Sequence, residues 1–125
     1  MRFNRFLFIL WFVAVAVTIT VHEFAHAAVA VALGDETPRQ NGRYTLNPLA
    51  HADLLGTLMM LFIGFGWAKP VPFNPMNLRI KRWGPTLVAL AGPLSNLLLV
   101  LIFGLINRSL ISSLGPSNLL ILFLS

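Results

Sequence analysis

The sequence predicts an α-helical integral membrane protein. It is read as about three membrane-embedded helices, a small β-hairpin between the first and second, and the start of a further helix. Three observations carry this. Apolar residues make up 57% of the 125 residues and charged residues 10%, against roughly 25% charged in a soluble domain. Mean hydropathy is +0.79. The nine cations and four anions stand between long apolar runs, as membrane-flanking charges do. A surface this poor in charge excludes an ordinary soluble enzyme, a nucleic-acid binder and a disordered chain, despite a pI near 11.3. The absence of cysteine excludes a disulfide scaffold, cysteine-ligated zinc and a thiol nucleophile. The length allows one domain over residues 1–125.

The first element is the run Phe6–Leu33 behind Arg2 and Arg5. As a single helix its 28 residues reach ~42 Å, more than the ~30 Å of a hydrocarbon core. A signal peptide also begins this way, but the small residues Ala14-Val15-Ala16 lie mid-run. Gly34 is a natural stop. Next, Gly42-Arg43-Tyr44-Thr45-Leu46 alternates between Asn41-Gly42 and Asn47-Pro48, which predicts a strand or hairpin arm. Asp53 is placed to cap a helix over Leu54–Trp67, ~21 Å long and short for a crossing. Lys69–Pro75 is broken by prolines. Leu87–Ile106 is an uncharged span containing Gly92-Pro93 and Ser95-Asn96, ended by Asn107-Arg108. Leu119–Leu124 opens a further apolar segment, so the chain is expected to be C-terminally incomplete.

The chemistry is concentrated in His22-Glu23-Phe24-Ala25-His26. On a helix, positions i and i+4 share a face, so both imidazoles can bind one metal, with Glu23 beside them as a base. Each ionisable group at mid-bilayer costs roughly 2.5–3.5 kcal/mol unless it lines a polar cavity. A shared Zn²⁺ accounts for all three together. Catalytic zinc takes three protein ligands and one open position. The third ligand is His51, Asp53 or a residue missing from this chain, and the plainer reading makes Asp53 a helix cap and His51 an interfacial polar residue. Asn96 reads either as a helix–helix hydrogen bond or as a catalytic donor to the scissile carbonyl. Trp11, Trp67 and Trp83 fit an interfacial belt.

Four blocks occur in order: His22–His26, Asn47–Asp53, Gly66–Pro75 and Ala91-Gly92-Pro93-Leu94-Ser95-Asn96. Together they resemble the site-2 protease family of intramembrane zinc metalloproteases, in its short prokaryotic form without a PDZ domain. The resemblance runs from about Trp11 to Arg108. It implies that His22 and His26 ligate zinc, that Glu23 is the general base, and that Gly92 and Asn96 belong to the family's glycine-rich segment near the active site. It implies a location in a prokaryotic cell membrane and a membrane-protein or peptide substrate, with no nucleic-acid partner. The family's third ligand is an aspartate in a Leu-Asp-Gly segment on a later helix, and this chain has no such segment. A zinc endopeptidase is therefore expected as part of a longer chain. The alternative is a non-catalytic metal-binding or scaffold protein. The stretch Arg43–Leu46 is expected to be able to pair with an unwound substrate as an added strand.

Overall fold

A computed structural model describes residues 4–114. The first helix, α1, spans Arg5–Ala32 as one unbroken 28-residue element. Asn4 caps it by accepting from the Phe6 amide, and Gly34 ends it at φ 106°, a conformation costly for any residue with a Cβ. Two one-turn helices follow, α2 (Thr37–Gln40) and α3 (Pro48–His51), then α4 (Leu54–Ile63), a 3₁₀ turn at Pro75–Asn77, and α5 (Gly84–Leu114). The last helix is longer than its uncharged stretch because nothing in Asn107-Arg108-Ser109 breaks a helix. The start of a further helix at Leu119–Leu124 lies outside the described residues.

Helices α1 and α5 are each long and apolar enough to cross a membrane. Only 6% of the most apolar window of each is buried, so neither is the core helix of a soluble domain. Their exposed Leu, Ile and Phe side chains suit a lipid surround. The two run antiparallel, since His22 faces Asn96 while His26 faces Val88.

The third expected membrane helix is corrected to a short one. Helix α4 has ten residues, about 15 Å. Asp53 caps it by accepting from the Gly56 amide at 2.9 Å, as its position suggested. Gly64 (φ 84°) closes it, and the chain then doubles back. A Cβ on Gly56 would overlap the Trp67 carbonyl, and one on Gly66 would overlap the Gly56 carbonyl. The return ends where it began: Ala52 and Ala68 form an isolated antiparallel bridge, and the Lys69 amide donates to the His51 carbonyl at 2.9 Å. Both ends of this unit therefore lie together.

The predicted β-hairpin at residues 42–46 is also corrected. No strand forms among the described residues. Side chains take the groups a ladder would use: His51 Nε2–H donates to the Thr45 carbonyl at 2.8 Å, and the Thr45 hydroxyl accepts from the Asn47 amide. Tyr44 instead packs on Phe24 of α1, with the Arg39 guanidinium 5.2 Å from its ring centre. With its carbonyl occupied, Thr45 is a poor edge for an added strand.

The end of α1 is tied down by Asp35, which is fully buried. Its Oδ1 accepts from the Thr37 amide (3.0 Å), the Thr37 hydroxyl (2.6 Å) and the Asn77 side chain (3.2 Å), and its Oδ2 accepts from the Asn74 amide (2.6 Å). The Arg79 amide adds a bond to the Leu33 carbonyl at 2.8 Å. Beside this knot, Ala30, Leu78 and Val88 form a small core. Burial alone pushes the Asp35 carboxyl up, but the donated hydrogen bonds outweigh it and hold the group below its ordinary value of 3.8.

A depressed folded-state value means that the stabilisation is complete above the unfolded value and is lost as pH falls through the folded one. Asp35→Asn sets an amide N–H against these donors and is expected to cost about 1–3 kcal/mol near neutral pH. The wild-type advantage should shrink as pH drops below 3.8. Unfolding of detergent-solubilised wild type and variant, followed by tryptophan fluorescence across pH, checks both.

Candidate metal centre

The site is built where α1 and α5 come closest. On α1, His22 and His26 stand one turn apart, half-buried, with ring centres 4.6 Å apart and planes near perpendicular. Their Nε2 atoms are 3.0 Å apart. Opposite them on α5 is Gly92, which is buried. An ideal Cβ there would lie 2.5 Å from His26 Nε2 and 2.6 Å from His22 Nε2. Both nitrogens thus pack against Gly92, where a residue with a Cβ would not fit.

The outer nitrogens are held from α5. His26 Nδ1 lies 2.6 Å from the Val88 carbonyl. A carbonyl only accepts, so Nδ1 carries the proton and a neutral His26 presents a bare Nε2 toward Gly92. Pro93 lies inside α5 and has no N–H to offer the preceding turn, which loosens the helix beside this contact. His22 Nδ1 lies 3.0 Å from the Asn96 side-chain nitrogen. Glu23 is 100° around α1 from His22, half-buried, and lines a cleft with His22, Asn96, Thr18, Ile19, Trp67 and Ala68. The return segment after α4 therefore forms one wall of the site.

Two nitrogens bound to one tetrahedral zinc at ~2.0–2.1 Å stand about 3.3 Å apart, so the pair needs to open by only a few tenths of an ångström. Two imidazoles with their Nε2 atoms together and a fixed tautomer at His26 suit a metal of this kind. No third donor joins them: among the described residues no group of three His, Asp or Glu side chains lies close enough to share an ion. His51 is buried in α3, donating to Thr45, and Asp53 caps α4. The structure brings together His22, Glu23, His26 and Asn96 and leaves both candidate third ligands elsewhere. The junction at His51–Asp53 joins two helices, α3 and α4.

Two features escaped the sequence. From sequence Asp35 has no assigned role, although Asp-x-Thr after a helix-ending glycine is a signal for local side-chain capture of the backbone. The Val88 carbonyl has no signal at all, since any residue there has one.

Comparison with known proteins adds a relative. It is bacterial. Over 90 residues, 72% of this chain, the sequence is 47% identical to the Bacillus subtilis (strain 168) protein named "Putative zinc metalloprotease YwhC". The chain spans 41% of that relative's length. No protein-family model matches the chain, and no solved structure matches it.

Gly92→Ala tests the convergence. The methyl group must push α5 from α1 or turn the imidazoles away, an overpacking cost of roughly 1–3 kcal/mol. Metal titration of the purified variant should show loss of binding relative to wild type, with thermal unfolding at a lower temperature.

Proposed function

We propose that this chain carries the metal-holding helix pair of a zinc-dependent endopeptidase of the site-2 protease type, cutting membrane-embedded or membrane-adjacent segments of other proteins. The observation that carries the reading is the convergence of the His22 and His26 Nε2 atoms on the bare face of Gly92, beside Glu23, in an otherwise apolar helix. A metal-holding pair needs its two nitrogens brought to one place, and here the close approach of α5 at Gly92 is what lets them meet. The name of the Bacillus subtilis relative supports the zinc protease part of this reading.

In this mechanism His22 and His26 would hold the ion, each through the Nε2 that faces the other ring. Zinc, when bound, supplies Lewis acidity toward the peptide carbonyl and toward water. The Glu23 carboxylate takes a proton from the attacking water and passes it to the leaving amide nitrogen. The wall at Trp67 and Ala68 separates the cleft from lipid on one side. With residues 53–68 re-entrant, Arg39, Arg43, Lys69, Arg79, Lys81 and Arg82 would share one side and Arg2, Arg5 and Arg108 the other. The excess of Lys and Arg assigns the first side to the cytoplasm of a prokaryotic cell membrane. The metal motif lies in the half of α1 nearer that side.

In the native protein Glu23→Gln should keep metal affinity and lower cleavage by about 10²–10⁴-fold, the usual contribution of a general base. Retained turnover removes Glu23 from that role. A second reading, a non-catalytic metal-binding scaffold, is favoured by the lack of a third donor among the described residues. By itself the chain is expected to bind zinc weakly and not to cleave peptides, with Asp53→Asn and His51→Ala leaving zinc affinity unchanged. Tight one-to-one binding destroyed by either substitution would make the site complete within this chain.

A further inference from the structure

Asn96 is the one residue of the cleft whose chemistry two arrangements satisfy differently. Its side-chain nitrogen stands 3.0 Å from His22 Nδ1, while its Oδ1 is buried without a hydrogen-bond partner. A half-turn of the amide exchanges the two atoms, and only the surrounding network decides which one faces the imidazole.

In the first arrangement the Asn96 amide donates to His22 Nδ1. His22 then carries its proton on Nε2 and donates it to His26 Nε2, 3.0 Å away, whose lone pair is set free by the bond to the Val88 carbonyl. This satisfies both histidines and orphans Asn96 Oδ1. In the second, Oδ1 accepts from His22 Nδ1–H. Both Nε2 atoms are then bare, with two lone pairs facing each other at 3.0 Å. Such a pair repels unless a cation shares it.

We propose that Asn96 is a positioning residue whose side-chain oxygen accepts the His22 Nδ1 proton when the pair holds a divalent cation, so that its amide turns over between the metal-free and metal-holding states. The change is neutral: His22 gives up the proton on Nε2 and gains one on Nδ1. A carbonyl oxygen on the outer nitrogen of each histidine, one from Val88 and one from Asn96, then orients both rings from α5. The inference rests on the metal-holding reading of the pair and adds to it a residue acting through His22.

The test is zinc titration of the chain in detergent micelles against a competing chromophoric chelator, with nitrogen NMR of labelled histidine. Asn96→Leu, which has no acceptor, should weaken zinc binding by about 10–100-fold, the usual effect of removing an outer partner. Asn96→Asp keeps an acceptor and should bind close to wild type. Zinc should move the His22 proton from Nε2 to Nδ1 in the wild type. Wild-type affinity in Asn96→Leu, loss of affinity in Asn96→Asp equal to that in Asn96→Leu, or a His22 tautomer unchanged by zinc would each overturn the proposal. His22→Ala separates the layers. If it loses zinc while Asn96→Leu does not, only the role of Asn96 fails; if it binds zinc like the wild type, the metal-holding reading of the pair fails with it.

Discussion

The contact between α1 and α5 at Gly92 sets the position of everything else in the site. Between two apolar helices in lipid there is no hydrophobic gain from pairing, so association depends on close packing and on polar bonds across the interface. Both are present along one line. Gly92, Ala27 and Ala30 are buried with little or no side chain, which lets the backbones approach. His26 bonds the Val88 carbonyl and His22 meets Asn96. The polar groups that make the pairing favourable are the groups that form the candidate site, so helix pairing and site assembly are one event.

Two ties outside the two long apolar helices hold the register of that pairing. The Asp35 carboxylate binds the end of α1 to the turn before α5 through Asn74 and Asn77, and the Leu33 carbonyl takes the Arg79 amide. A slip of α5 by one residue along α1 would break these bonds. The second tie is the re-entrant unit. Its glycine-to-backbone contacts at Gly56 and Gly66 let ten helical residues and their return path sit together and bring Trp67 and Ala68 to the cleft. A site held by rigid elements at both ends keeps its side chains in place better than one built on loops alone.

Much of this could be read from residue order. Sixteen uncharged residues followed by a His-x-x-x-His pair, ended by glycine, determine a long apolar helix with two imidazoles on one face, because helical periodicity is local. The capping by Asp53 and the break at Lys69–Pro75 are likewise properties of neighbouring residues. By contrast, the alternation at residues 42–46 was a misleading local signal: a strand needs a partner ladder, and His51 supplied a side-chain donor to Thr45 first.

The sequence by itself determined which residue types carry the chemistry and which segments favour lipid. Only the tertiary structure decided that the chain turns back after α4, because that depends on Gly56 and Gly66 meeting across a loop. It also decided the face on which the histidines open and the tautomer of His26, because a glycine and a backbone carbonyl from 62 or more residues away supply them. Gly92 was marked only through a family resemblance and the Val88 carbonyl not at all: one acts through the side chain it lacks, the other through an atom every residue possesses.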